Sequence, residues 1–500
     1  MHFMLLSTSD IETLKSKGIS ADRIHEQFNI FAHGSLILKL ERPCTAGDGI
    51  VRIDASESHK YLELYESFSR TGKIIKFVPA SGAASRMFRH LYHYNAENLN
   101  HDAEEFILHF RDFPFVNTLE KKLAASNISL RHLINDNEWQ TIFAAILGAH
   151  GLGYSDYPKG LVIFHKKGNT EISAFEEQLF ESLLYAREIE GKCRVHFTIS
   201  PAHEELIRKT IDEILERYPF DPFEITFSHQ SPSTDLPALT KDNQLARDNK
   251  GDIIFRPAGH GALLKNLESL DADIIFIKNI DNVTTQDQIK DTVFYKKTLA
   301  GFLVEIKQRV FELLEALDKN SASALDHALE FIQQYFQPGL PIGMSREQLI
   351  QYARIRLDRP IRICGMVRNE GEPGGGPFWI KMPDGQLSKQ IVEKNQVATN
   401  EIQQARIVSN STHFNPVDIV CSIKNRRGEN YKLEDFVDKS AGIISEKFEK
   451  GKVIKALELP GLWNGSMAMW NSIFVEVPVS TFNPVKTVND LLRSGHQSDS

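Results

Sequence analysis

Residues 73–87 read KIIKFVPASGAASRM: an apolar run stops at Pro79 and gives way to a turn of small residues, followed by Arg86 and Met87. Ile74, Ile75, Phe77 and Val78 predict a buried strand, and residues 85–94 predict a helix. A strand feeding a tight turn and a helix N-terminus makes an anion site, because free N–H groups and the helix dipole converge there. Ser81, Gly82 and Ala83 would let a phosphate approach the main chain, and Arg86 adds a planar fork of donors. Tight strand–helix packing is the alternative. Neither GxGxxG nor GK[ST] is present, which removes the Rossmann fingerprint and the Walker A loop.

Further residues with suitable chemistry follow in order. Lys159, in PKGL, stands just before an expected strand, where its charge can reach a triphosphate; a solvated surface lysine is the competing role. Gln230 ends ITFSHQ with an amide that can both donate to and accept from a base edge. In RPAGHGALL, two glycines flank His260 directly before an expected helix, which permits close backbone approach to a base or sugar. The strand DIIFIKNIDN delivers Asp281 and Asn282 at its carboxyl end. A carboxylate there suits Mg²⁺ on a nucleotide phosphate; a turn cap is the competing role. NEGEPGGGPFW (369–379) places Glu370 and Glu372 beside three glycines, suited to sugar hydroxyls, to a lid or to a purely structural loop. THFNPVD (412–418) holds His413, Asn415 and Asp418, but one histidine at this spacing predicts a structural role rather than a metal site.

Positioning such residues calls for alternating strands and helices. Strands are expected at 73–78, 161–165, 194–199, 223–228, 253–256 and 274–278, with helices at 85–94, 173–189 and 202–217. That alternation predicts an α/β fold: a Rossmann-like mixed, mostly parallel sheet with helices on both faces and ligands at the carboxyl ends of strands. Residues 1–70 read as helical, with Ser9 and Glu12 as a capping box and Ile24, Phe28 and Phe31 on one face. Long helices interrupt the rhythm at 286–335, where Leu299, Phe302, Leu303, Ile306, Val310, Leu313, Leu314 and Leu317 form a stripe for core packing. Strands resume at 361–367, 453–459 and 472–477, and the tail after about residue 493 is expected to be disordered. The organisation expected is 1–70 helical, 71–285 nucleotide-binding half, 286–357 helical insertion, 358–486 sugar-binding half and 487–500 tail.

The 500 residues are 41% hydrophobic and 25% charged with a net charge of −8, which fits a globular protein and disfavours nucleic-acid binding by overall charge. The four cysteines (Cys44, Cys193, Cys364, Cys421) form no CxxC pair, which argues against a zinc site and suits a reducing compartment. No apolar run approaches about 18 residues and the start lacks a signal-peptide pattern, so a cytoplasmic location without membrane partners is expected.

The ordered set PxxGxxSRM, PKGL, FxHQ, PxGHG and NIDN resembles the eukaryotic-type UDP-sugar pyrophosphorylases, nucleotidyltransferases of the glycosyltransferase-A type fold. LELPGLWNGSMAMW and VSTFNPVKTVNDLL are similar to that family's late glutamate-containing segment and its Phe-Pro-Val-Lys motif. As a whole the chain also resembles a bacterial family catalogued only as a domain of unknown function. The resemblance implies that Ser81, Gly82, Ala83 and Arg86 hold a nucleoside triphosphate and that Lys159 reaches its phosphates. It further implies that Gln230 and Gly259 contact uracil, His260 lies near the α-phosphate or sugar, and Asp281 binds Mg²⁺. Lys486 would neutralise charge during transfer, and Glu458 joins Glu370 and Glu372 as sugar-binding candidates. The implied substrates are an NTP, UTP first, and a sugar 1-phosphate. This chain departs from the pattern with Ser81 and Ala84 at glycine positions and Ala262 at a commonly acidic one. A non-catalytic nucleotide or nucleotide-sugar binder, or a sugar-phosphate transferase, therefore stays open on the same scaffold.

Overall fold

The computed structural model describes residues 6–497 except 34–36, 96–99, 189–190, 220, 372–373, 383–384 and 450–451. The chain forms two compact units, each assembled from separated stretches. The first comprises Met1–Phe68, Gln230–Ile274 and Leu299–Val477; the second comprises Ser69–His229, Ile275–Thr298 and Pro478–Ser500.

In the second unit the strands lie in the order Ile274–Ile277, Ile74–Pro79, Cys193–Thr198, Phe223–Ser228. Ile74–Pro79 pairs parallel with Cys193–Thr198, and Cys193–Thr198 pairs parallel with Phe223–Ser228. Parallel pairs need crossover segments, here carrying the helices Ala174–Tyr185 and Glu204–Leu215. Ile74, Phe77, Val78 and Ile274–Ile277 are buried, as strands covered on both faces require. Lys76 is buried with them, because Glu181 accepts from Lys76 at 3.2 Å and from Lys278 at 2.7 Å. Burial lowers the Lys76 pKa to about 7, whereas the two ammonium groups overcome burial at Glu181 and bring it to about 2.

The first unit carries strands in the order Thr45–Ala46, Gly49–Val51, Asn471–Glu476, Ile361–Arg368, His413–Ser422. The pairs run parallel except the last, which is antiparallel. The same unit holds a three-stranded antiparallel sheet of Leu40–Pro43, Gly376–Lys381 and Leu387–Val392, and the hairpin Ile443–Glu449/Lys452–Glu458. The fold is thus a mixed, mostly parallel α/β arrangement. Leu299, Phe302, Leu303, Ile306, Val310, Leu313, Leu314 and Leu317 of the helix Lys290–Asp318 are all buried, in keeping with a core stripe.

Several local expectations are corrected. The N-terminal region has the helices Thr8–Ser16, Ala21–His33 and Ala55–Phe68, but strands from Leu40 to Val51 lie between them. Ser7 and Asp10, not Ser9 and Glu12, make the capping box, and Arg247 fixes Asp10 with two bonds of 2.8 Å. Ile163–Lys167 pairs with Thr170–Ser173 in a hairpin instead of joining the large sheet, since Gly168 at φ 58° turns the chain back. Among the described residues, Phe255–Arg256 pairs only with Leu236–Pro237. Ser494–His496 forms a turn with His496 buried, so order extends past residue 493.

Candidate functional site

The turn after Ile74–Pro79 owes its shape to a second segment. Gly82 accepts from the Lys159 N–H at 2.9 Å, and Tyr157 accepts from the Ala84 N–H at 2.9 Å. Ala83 and Pro158 form a bridge between these bonds. Beneath, Phe88 stacks on Tyr154 with centroids 5.3 Å apart, tying the two segments through their side chains. Ala84 is fully buried, while Ser81, Gly82, Ala83 and Arg86 are exposed.

The predicted helix N-terminus is absent. Ala84–Arg86 is a single 3₁₀ turn, and Arg89–Tyr92 is one short helical turn. Aligned peptide dipoles are too few there to make a strong anion site. Ala84, although it stands at a glycine position of the resembled motif, is unstrained: it belongs to that turn, and no residue from 80 to 86 has a positive φ. A Cβ at Gly82 would meet nothing within 4 Å. The loop needs no glycine for its backbone shape.

Lys159 and Lys486 converge on Asp281. Lys159 Nζ lies 2.7 Å from Asp281 Oδ2, and Lys486 Nζ lies 3.0 Å from the same oxygen. Lys159 also donates to the Val485 carbonyl. Asp281 is held at the end of the Ile274–Ile277 strand by a backbone bond from Val485 at 3.0 Å and by the Asn282–Pro484 bridge. Burial alone would raise the Asp281 carboxyl, but the two ammonium groups hold it below the ordinary range. Burial lowers the Lys159 pKa against the opposing pull of Asp281. Asp281 Oδ1 is buried and has no hydrogen-bond partner among the described residues.

Asp490 sets the Lys486 backbone. Its Oδ2 accepts from the N–H groups of Lys486 and Thr487, each at 2.7 Å, and Thr487 and Asp490 complete a capping box. Sequence reading passed over this pair, although T-x-x-D is a recognisable cap pattern.

In the first unit, Gly259 adopts φ 75°, and a Cβ there would come 3.4 Å from Glu458 Oε2. His260 begins the 3₁₀ turn His260–Leu263. Its ring stacks on Trp463 with centroids 4.2 Å apart and planes at 18°. The Leu462 N–H donates to His260 Nδ1 at 2.9 Å, which leaves the ring proton on Nε2. Burial lowers the His260 pKa to about 4, so the ring is neutral at pH 7. Trp463 is a second residue that sequence reading missed. Gln230 follows the Phe223–Ser228 strand by two residues, and its Nε2 donates to Thr234 at 3.3 Å. Glu370 is exposed, and among the described residues no hydrogen bond or ion pair joins it to Gly259, His260 or Glu458. Glu372 lies outside the described residues. His413 is buried in its strand, 3.5 Å from Glu476, consistent with a structural histidine.

With this geometry in hand, comparison places the chain. Residues 7–497 match the model of a family described as a domain of unknown function, DUF4301. The chain belongs to that family. No curated protein matches it. Among solved structures, the UDP-N-acetylglucosamine pyrophosphorylase of Trypanosoma brucei matches with TM-score 0.50 and 13% identity, over 97% of this chain and 79% of that one. UDP-glucose pyrophosphorylase of Leishmania major matches with TM-score 0.44 and 12% identity, over 99% and 80%. A UDP-N-acetylglucosamine pyrophosphorylase assignment from Entamoeba histolytica gives TM-score 0.44 and 14% identity, over 91% and 85%. The first of these likenesses establishes a fold shared with a sugar-nucleotide pyrophosphorylase. No described helix is long and apolar enough to cross a membrane.

Proposed function

We propose that the protein is a nucleotidyltransferase joining a nucleoside triphosphate, UTP first, to a sugar 1-phosphate. The observation carrying this reading is the convergence of Lys159 and Lys486 on the buried carboxylate of Asp281, beside the exposed turn 81–83 zipped to Lys159. A sugar 1-phosphate oxygen attacks the α-phosphorus, the bond to the bridging oxygen breaks, and pyrophosphate leaves. Such transfer needs positioned positive charge and no protein nucleophile. The lysines are held on Asp281 until phosphate oxygens offer them a second partner. Arg86, exposed at the turn, supplies a bidentate fork for the triphosphate.

A hard divalent cation fits Asp281. The unpaired Oδ1 is the available donor, and among the described residues no cluster of three or more His, Cys, Asp or Glu surrounds it. Mg²⁺ suits such a site, since it takes one or two carboxylates and fills its shell with water and phosphate oxygens. When bound, it would neutralise phosphate charge. Gln230, Gly259, His260 and Glu458 belong to the first unit; their contacts with base and sugar are proposed from the motif resemblance, whereas Glu370 and Glu372 remain sugar candidates only because carboxylates beside a glycine-rich backbone suit sugar hydroxyls.

The test is pyrophosphate release from a panel of NTPs and sugar 1-phosphates with Mg²⁺. Turnover with one pair supports the transferase. Tight nucleotide binding with no turnover on any pair favours the second reading, a nucleotide-binding protein.

A further inference from the structure

Three consecutive residues of the first unit box in the His260 ring. The Leu462 N–H donates to Nδ1 at 2.9 Å, and the Trp463 ring lies nearly parallel to one face with centroids 4.2 Å apart. Gly461 sits so close to the ring edge that a Cβ there would come 2.7 Å from Cε1. Position, rotation and tautomer of the ring are thereby set together. Nδ1 accepts from an N–H, so the proton stays on Nε2. Nε2 bonds to none of the described residues and stays open to water, since His260 is half-buried. Stacking on an indole favours a charged ring, yet a second proton, at Nδ1, would meet the Leu462 N–H head-on. Glu458 is the charged group that bears on the ring; it pulls the His260 pKa up, but burial outweighs it.

The loop carrying these three residues is itself tied down. The Gly461 carbonyl accepts from the Asn464 N–H at 2.9 Å and the Ser466 N–H at 3.1 Å, and Asn464 Nδ2 donates to Glu393 at 2.7 Å. Arg362 donates to the Trp463 carbonyl at 2.6 Å and to Ser472 at 2.7 Å. Arg362 is fully buried and has no carboxylate partner among the described residues. A buried charge without a counter-ion is costly, and an apolar side chain of similar volume would fill the same space. What the guanidinium adds is a fixed backbone at Trp463. Burial does not account for Trp463 either: it is only half-buried, whereas Trp470, seven residues later, is 2% exposed.

We propose that Trp463 is a positioning residue whose flat face locks the His260 ring, so that Nε2–H is presented as a fixed donor to an acceptor oxygen of the bound nucleotide. A ring held in this way donates from Nε2 but takes no proton there, because Nε2 already carries one and Nδ1 faces Leu462. His260 therefore reads the ligand and does not serve as a base. The identity of the ligand rests on the nucleotidyltransferase reading; the locked ring does not.

The experiment is nitrogen NMR of the histidine rings in the full chain and in its Trp463→Phe and Trp463→Leu variants, with His260→Gln to assign the signal. Phenylalanine keeps a flat face, and leucine fills apolar space without one. Wild type and Trp463→Phe should show an unprotonated Nδ1, a protonated Nε2 and a titration midpoint near 4. In Trp463→Leu the two nitrogen signals should move towards each other as the tautomers mix, and the midpoint should rise towards about 6.5. UTP with Mg²⁺, titrated calorimetrically into the same proteins, should bind about tenfold more weakly to Trp463→Leu and within about threefold of wild type to Trp463→Phe. Wild-type ring signals in Trp463→Leu overturn the proposal. So does a phenylalanine variant that behaves like the leucine one, since packing alone would then explain Trp463. Ring signals that move in Trp463→Leu with UTP affinity unchanged overturn it too, because the donor would then serve no nucleotide. Absence of UTP binding in wild type overturns the nucleotide reading and the ligand named with it, while the ring signals alone decide the locking.

Discussion

Replacing Asp281 with Asn tests the lysine pair through stability, independently of any substrate. Lys159 has a side chain only 13% exposed, so the substitution leaves a buried ammonium beside a neutral amide. Removing one partner of a buried pair costs about 3–5 kcal/mol, because the remaining charge is uncompensated. Lys486 is 54% exposed and loses little, since water screens it. We therefore expect a cost of about 3 kcal/mol, borne by Lys159. The pH dependence has a definite sign. Burial already lowers the Lys159 pKa in the folded state, and loss of Asp281 lowers it further. The unfolded chain then binds more protons over the interval up to the ordinary lysine value, so the variant regains stability as pH rises from 7 towards 10. Hydrogen exchange of peptides covering Ile274–Ile277 reads the local cost directly; about 3 kcal/mol corresponds to roughly a hundredfold loss of protection. Adding Lys159→Met should restore most of the protection at pH 7. Exchange of the Asp281→Asn variant within twofold of wild type, or no rescue by Lys159→Met, would refute the claim that these two residues form a buried, coupled pair.

Other outcomes follow from the same geometry. Lys486→Ala should leave stability nearly unchanged, because its ammonium is half exposed, yet cut turnover roughly 10²–10³-fold as for a lost charge-stabilising donor; steady-state kinetics with urea unfolding separates the two. Arg86→Lys should reduce turnover because an ammonium cannot copy the bidentate fork, and unchanged kinetics would remove Arg86 from the site. Gly259→Ala should cost about 1–2 kcal/mol, since an alanine at φ 75° is strained, and thermal unfolding measures it. His260, with its pKa near 4 in the folded state, should stay neutral at pH 6 in imidazole NMR. Its folded pKa lies below the unfolded value, so its contribution to stability is present above about pH 6.5 and is lost as pH falls towards 4.

What the sequence disclosed depended on how local the cause was. Ile274–Ile277 and, apart from Lys76, Ile74–Pro79 were legible because strands buried on both faces read as apolar runs, whereas Cys193–Thr198 was legible from the alternation of Cys193, Val195 and Phe197 with polar residues. Lys452–Glu458 has a similar pattern but pairs with its hairpin neighbour and, through Lys455, with Leu239, and nothing in a run of residues names its partner strand. The helix at 85–94 was misread because Met87 and Leu91 are apolar for tertiary reasons, as part of the cluster under the turn. For the site, Lys159 and Asp281 were placed by their strand ends, whereas Lys486 came from a motif. Their meeting at one oxygen is fixed by the bridge from Asn282 to Pro484, two segments about 200 residues apart in sequence, and no local pattern contains it.

The glycine-poor turn takes on a different meaning in this light. Glycine is needed where φ is positive or where a Cβ would collide, and residues 80–86 show neither a positive φ nor a contact within 4 Å at Gly82. The shape of PASGAASRM comes instead from its bonds to Tyr157 and Lys159, so replacing glycine with Ser81 and Ala84 does not by itself make the turn defective. The choice between transferase and binding protein therefore shifts from the turn to the lysines. In a transferase, Lys159 and Lys486 must exchange Asp281 for phosphate oxygens. A binding protein can leave them clamped.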